Sequence, residues 1–295
     1  MKTHPILGMT MALSAAVLWG TTGTAQSFAP AGLSPYWVGS LRLAVAVVSL
    51  LALNLWQRRS LSAATTLDAP AWLGIGIAGA CMAAYNLTFF TGIRLTGIAV
   101  GTAVTIGSGP IWAGLIESML SRRAPVAAWW AGTALSVGGG TLMVIDNATD
   151  YVVSPRGIGF CLTAGLSYAG YILINQRLVR RHPPDQIACL AFVLAAFLAV
   201  PCALVLSGPF ATTPTGWVVV GYLGLVPTGV SYLLYGHALR HISGSTGVTL
   251  ALAEPVAAFL LAVYVVHQAA STTAWLGLCL VLVGLLLVLR TELAA

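Results

Sequence analysis

The stretch AEPVAAFLLAVYVVHQAASTTAWLGLCLVLVG, residues 253–284, is a second copy of SGPIWAGLIESMLSRRAPVAAWWAGTALSVGG, residues 108–139. In each copy a proline is followed after 22 residues by a glycine, and after seven more by another. Pro110, Gly132 and Gly139 mark the first copy; Pro255, Gly277 and Gly284 mark the second, 145 residues later. Upstream the offset widens slightly. Arg94 matches Arg240 at 146, and Gly8, Trp19, Gln26 and Pro35 match Gly157, Tyr168, Asn175 and Pro184 at 149. Chance similarity between apolar segments does not reproduce spaced prolines and glycines over such a length. The chain reads as a duplication with halves 1–148 and 149–295.

The composition says where this duplication lives. Of 295 residues, 58 % are apolar and 7 % are charged, against about 25 % charge in soluble domains. Such a surface would not stay in water. The high apolar content excludes disorder, and glycines without a three-residue period exclude collagen. Apolar runs recur at 6–27, 35–56, 70–93, 96–119, 125–145, 157–177, 186–206, 214–239, 245–266 and 272–290. Each is long enough to cross a bilayer as a helix, the form in which a backbone satisfies itself in lipid. The predicted fold is an all-α membrane protein of ten transmembrane helices. The first span follows Lys2 and reads as a helix, not a cleaved signal, because nine more spans follow.

Each half holds five spans. An odd number makes the second half enter the membrane from the opposite side, so the halves are inverted repeats. That architecture belongs to secondary transporters, which place the substrate site near the midplane where the repeats meet. Basic residues support the alternation. Lys2, Arg58, Arg59, Arg122, Arg123, Arg177, Arg180, Arg181, Arg240 and Arg290 fall on one side, and Arg94 and Arg156 on the other. The positive-inside rule then places both termini in the cytoplasm.

Composition also removes several chemistries. Lys2 is the only lysine, so no phosphate-binding Gly-Lys-Ser/Thr loop exists and no nucleotide is expected. The net charge of +6 is spread between apolar runs, which suits an anionic membrane face rather than nucleic acid. Cys81, Cys161, Cys189, Cys202 and Cys279 lie in apolar stretches without a C-x-x-C pair and read as packing residues, with no metal or cofactor expected. Gly165-Leu-Ser167 and Gly107-Ser-Gly109 imitate serine nucleophile turns, but His237 and His241 sit too near a span end to serve them; an enzyme is not expected. Asn147-Ala-Thr149 is a glycosylation tripeptide in an outer loop.

Several motifs carry a resemblance. Gly8 through Leu18-Trp19-Gly20, Gly109-Pro110, Glu254-Pro255, Trp130-Ala131-Gly132 and Trp275-Leu276-Gly277 are similar to the ten-helix drug/metabolite transporter superfamily in its EamA-type branch. The family usually carries Gly-Glu-Arg about a dozen residues after each proline. This chain has Ser121-Arg122-Arg123 and His267-Gln268-Ala269 there, and so departs from the pattern twice. Within the branch it resembles bacterial exporters of aromatic and other neutral amino acids. The resemblance implies a small-molecule exporter of the inner membrane. A proton-coupled multidrug exporter is the alternative within the class, and a membrane-embedded subunit or enzyme the alternative outside it.

Polar and aromatic residues inside the spans nominate the site. Trp19, Thr22 and Gln26 share one face of span one, and Tyr168, Tyr171 and Asn175 repeat that stripe in span six. Tyr85, Asn86 and Phe89 stack in span three, mirrored by Ser231, Tyr232 and Tyr235 in span eight. Hydroxyls and amides in hydrocarbon need partners, so these faces are expected to line an interior cavity and contact the substrate. Glu254 lies about nine residues into its span, ~14 Å deep, and is expected to join them as a proton-coupling or substrate-binding carboxylate. Its neighbour Pro255 would free the Ala251 carbonyl, and Pro110 and Pro255 read as paired hinges. Arg42 is read as structural, its charge snorkelling outward. Glu117 is read as a surface partner of Arg122 and Arg123. Trp56, Trp72, Trp129 and Trp217 are read as an interfacial belt.

Overall fold

A computed structural model describes residues 4–30, 32–56, 67–122, 124–145, 154–265, 267 and 270–294. Lys2, Arg58, Arg59, Arg123, Gln268, Ala269, the Asn147–Thr149 tripeptide and the junction between residues 148 and 149 lie outside that set, as does the side chain of Trp56. Among the described residues the structure is all-helical. The helices are α1 (Pro5–Ser27), α2 (Pro35–Trp56), α3 (Ala69–Thr96), α4 (Ile98–Ser121) and α5 (Ala127–Ile145) in the first half. In the second half they are α6 (Pro155–Val179), α7 (Pro184–Ser207), α8 (Pro214–Ala238), α9 (Gly244–Tyr264) and α10 (Thr272–Leu293). Eight of them are long and apolar enough, over their described residues, to cross a membrane.

The helix starts follow from local chemistry. Proline stands in the first turn of α1, α3, α6, α7 and α8, where its missing N–H costs no ladder bond. Side chains of Asp68, Ser154, Thr213, Ser243 and Ser271 accept the N–H groups of Ala71, Gly157, Gly216, Thr246 and Ala274, satisfying orphan donors at each start.

Packing displays the duplication directly. α1 packs on α8 and α9, and its counterpart α6 packs on α3 and α4. α2 pairs with its own counterpart α7, and α5 with α10. Exchanging the halves therefore maps the packing scheme onto itself. The α5–α10 crossing also shows the sense of the exchange. A Cβ on Gly132 would lie 2.7 Å from the Gly284 carbonyl oxygen, and one on Gly139 would lie 2.5 Å from that of Gly277. Residue numbers rise on one helix as they fall on the other, so the two helices run antiparallel. Gly8 meets His241 and Ile242, and its repeat mate Gly157 meets Leu95 and Thr96, the mates of those two residues. Inverted repeats account for both observations.

Two helices of the second half are broken where their counterparts are not. In α8, Pro227 has no N–H for the Leu223 carbonyl. The chain widens into a π turn at Leu225–Val230, and the Thr228 hydroxyl donates to the Leu223 carbonyl at 2.7 Å. The Ser231 hydroxyl donates to the Pro227 carbonyl. In α9 the helix stops after Leu250 and restarts at Ala253. The Ala251 carbonyl, expected to be freed by Pro255, accepts the Glu254 N–H at 2.9 Å. Pro110, by contrast, lies inside an uninterrupted α4.

Candidate substrate site between the halves

The predicted aromatic stripes converge. Trp19, on α1, is buried, with ring centroids 5.0 Å from Tyr232, 5.1 Å from Tyr235 and 6.5 Å from Tyr168. Tyr168 continues to Tyr85 at 5.5 Å, and Tyr85 stacks on Phe89 at 5.8 Å. On the other side Tyr171 meets Tyr232 at 5.8 Å, and Phe192 of α7 meets Tyr232 at 5.2 Å. Rings from α1, α3, α6, α7 and α8 thus form one continuous cluster at the junction of the halves. Gly20 lets α9 close on α1, since a Cβ there would lie 2.8 Å from the Glu254 carbonyl oxygen.

The cluster is graded. Tyr171 and Tyr235 are fully buried, whereas Tyr85, Phe89, Tyr168 and Glu254 are half-buried. Polar groups gather at the half-buried end. Arg42 turns inward and its Nη2 donates to Asn86 Oδ1 at 2.9 Å, while Asn86 Nδ2 donates to the Met82 carbonyl at 3.0 Å. Arg42 also lies within reach of the Tyr85 hydroxyl. Glu254 lies near enough to Arg42, Tyr85 and Tyr168 to act on each electrostatically. Among the described residues, no ion pair closes between Arg42 and Glu254, and no hydrogen bond engages the Glu254 carboxylate. A guanidinium and a carboxyl group from opposite halves therefore approach one aromatic surface, and each retains bonding capacity. The outward-snorkelling reading of Arg42 is overturned by the Asn86 bond.

Other predicted residues fall as follows. Asn175 is buried one turn beyond Tyr171. Its Oδ1, the Tyr171 hydroxyl and Trp19 Nε1 have no hydrogen-bond partner among the described residues. The Tyr235 hydroxyl points toward Tyr168 without closing a hydrogen bond. Thr22 is half-buried, and Gln26 is exposed in the last turn of α1, away from the rings. Glu117 does not pair with Arg122; it accepts the Ser245 N–H at 3.1 Å. Trp72 and Trp217 are exposed as a belt requires, but Trp129 is buried against Trp130 and Gly114. Phe192 was not singled out in the sequence because span seven shows no polar stripe to mark a face.

Comparison with known proteins agrees with this architecture. A transporter of Bacillus subtilis (strain 168), YwfM, is 37 % identical over 276 residues, covering 94 % of this chain and 91 % of the relative. The inner membrane transporter YedA of Escherichia coli (strain K12) is 23 % identical, covering 96 % of this chain and 90 % of its own. A probable terminal-alkyne amino-acid exporter of Streptantibioticus cattleyicolor is 25 % identical over 164 residues, 54 % of each chain. One solved crystal structure superposes with a TM-score of 0.84 at 19 % identity, covering 98 % of this chain and 99 % of that one, and so shares the fold. The profile of the EamA-like transporter family matches twice, at residues 6–145 and 155–290. Two matches, one per inverted half, cover nearly the whole chain: it belongs to the EamA-like transporter family.

Proposed function

We propose that the protein exports aromatic and other neutral amino acids across the inner membrane by alternating access, with both termini cytoplasmic. The observation that carries this reading is that Arg42 and Glu254 both act electrostatically on Tyr85, with no ion pair between them among the described residues. A zwitterion supplies the two missing partners at once. Its carboxylate suits the guanidinium, its ammonium suits Glu254, and its side chain suits the faces of Tyr85, Phe89 and Tyr168. Trp19, Tyr171, Asn175, Tyr232 and Tyr235 extend the lining toward the buried end, Thr22 and Gln26 flank the path, and the Pro110 and Pro255 regions bend as the halves rock. The amino-acid exporter among the relatives supports the substrate class. The ten-to-two distribution of basic residues supports the orientation.

The test is efflux from proteoliposomes loaded with labelled phenylalanine, its amide, or phenylpropionate. The zwitterion should be carried, and either single-charge analogue should be carried at least about tenfold more slowly, the cost of one unpaired buried charge. Arg42→Gln and Glu254→Gln should each depress zwitterion efflux while retaining the helical fold. Equal transport of phenylalanine and its amide by the parent, with neither slowed by Arg42→Gln, would instead assign the site to cationic drugs, with Glu254 as the only charge that matters.

A further inference from the structure

A second set of exposed features lies at the α3–α6 face, away from the aromatic cluster. The end of α6 and the residues after it carry Arg177, Arg180 and Arg181, all exposed, with half-buried His182 beside them. None of the three guanidinium groups has a hydrogen bond or ion pair among the described residues. They line one side of a groove of about 650 Å³ whose other side is the start of α3. Asp68 is the one carboxylate on its rim, and that side chain already accepts the Ala71 N–H at 3.0 Å.

The groove does not stop at the charges. Leu73 and Ile77 also border a second cleft of about 550 Å³, which climbs α3 along Gly76, Ala80 and Ala84 against Ser167 of α6. From Leu73 to Ala84 the climb is ~16 Å at the helical rise. Gly76 leaves open space, with nothing within 4 Å of a Cβ placed there, while Leu73 is 67 % exposed. In a membrane protein such a surface faces hydrocarbon. A smooth apolar trough thus leads from a membrane-boundary cluster of three cations toward the bilayer interior. The duplication supplies a comparison. At the offset of 149, Arg177, Arg180 and Arg181 correspond to Phe28, Ala31 and Gly32, so the basic cluster belongs to one half only.

We propose that this groove binds one anionic phospholipid. The phosphodiester sits among Arg177, Arg180 and Arg181, and one acyl chain lies along Gly76, Ala80 and Ala84. Guanidinium forks match phosphate oxygens, and basic pockets between helices at the membrane boundary select acidic headgroups. The occupant is a lipid rather than a soluble phosphate because the trough adjoining the charges is apolar over two helical turns and more.

The test is native mass spectrometry of the delipidated full chain given equal phosphatidylglycerol and phosphatidylcholine, with inorganic phosphate in a separate arm. One phosphatidylglycerol should remain bound, favoured over phosphatidylcholine by about tenfold or more, given the roughly fivefold each interfacial basic residue contributes. Arg177→Gln/Arg180→Gln/Arg181→Gln should abolish the preference. Gly76→Leu, which fills the trough and leaves the charges, should abolish retention. Gly159→Leu, at an equally open glycine of α6 outside the groove, should leave retention unchanged and serves as the folding control. Equal retention of the two lipids by the parent, unaltered retention in Gly76→Leu, or displacement of the lipid by inorganic phosphate alone would overturn the assignment.

Discussion

Tyr171 is buried and packed on Phe192 and Tyr232, yet its hydroxyl has no partner among the described residues. A hydroxyl held in this way contributes no hydrogen bond to the arrangement described and loses its solvation. Tyr171→Phe should therefore leave thermal stability unchanged or slightly raised. If the hydroxyl meets substrate or water as the cavity opens, the same variant should slow transport several-fold. A loss of stability comparable to other buried hydrogen-bond deletions, about 1 kcal/mol, would show that the hydroxyl is bonded in the resting protein. His241 gives a second residue-scale expectation. Its Nδ1 accepts the His4 N–H at 3.3 Å. Partial burial, His4, Arg240 and His237 together hold its imidazole below the ordinary histidine range. The neutral ring is thus favoured in the folded protein. The contact is present above the ordinary pKa of about 6.5 and is lost as pH falls through that value toward the depressed one, where the unfolded chain binds more protons. Hydrogen exchange in the first turn of α1 should accelerate on acidification, and should stop responding to pH in His241→Asn. At this scale the sequence was informative about depth but not direction. Trp19, Tyr85, Tyr168 and Tyr232 were legible because hydroxyls and large rings at mid-span have few other places to go. Arg42 was misread because a long cationic side chain at that depth can turn either way, and only Asn86 on a different helix decides.

Between helices, small residues determine how closely the halves meet. Gly132, Ser136 and Gly139 on α5 face Gly277, Val281 and Gly284 on α10, with backbone carbonyls where side chains would otherwise stand. Close approach of this kind lets dispersion and weak polar contacts hold helices together in lipid. Gly139→Ala should destabilise the detergent-solubilised protein by about 1–3 kcal/mol, the usual cost of forcing an extra carbon into a packed contact. Gly138→Ala, one residue away with open space around its Cβ, should be neutral or stabilising by up to about 1 kcal/mol through helix propensity. Equal effects of the two in a thermal unfolding series would mean that the crossing does not set stability. The glycine spacing was legible because it survives in both copies. The π turn of α8 was not. Pro227 has no matching proline in the first half, where the mate at an offset of 146 is Cys81, and a proline inside a span can be absorbed as a kink, a break or a bulge. Which of these occurs is settled by the structure, where the chain widens and the Thr228 hydroxyl meets the Leu223 carbonyl that Pro227 cannot serve.

In the molecule as a whole, a network of contacts gathers at the end where both ends of the described chain lie. There α1 meets the α8–α9 connection through Gly8, and Gln176 Nε2 donates to the Ile242 carbonyl at 2.8 Å. Arg240 Nε donates to the Val179 carbonyl at 2.8 Å. Two carboxylates then hold the start of α9. Glu292 accepts the Ser243 N–H at 2.8 Å and the Thr246 hydroxyl at 2.6 Å, and Glu117 accepts the Ser245 N–H at 3.1 Å. Negative charge at a helix start is favourable, so the clamp joins α4, α9 and α10 in one network. Inverted repeats would reproduce the network at the opposite end in the alternate conformation only if the residues were duplicated. They are not: at the offset of 145, Glu117 corresponds to Ala262 and Glu292 to Asn147. On the proposed alternating access, the opposite end has no equivalent carboxylate clamp to form, and the expected bias is toward the state in which this clamp is made. Glu117→Gln/Glu292→Gln should shift that balance. In a background without native cysteines, Tyr171→Cys should resist a membrane-impermeant maleimide applied from the clamped side, because residue 171 is buried. Adding the double substitution should raise its labelling several-fold, and substrate should alter the rate further. Unchanged labelling, with helical content and elution like the parent, would show that aromatic packing alone closes this end and that the carboxylates only cap a helix.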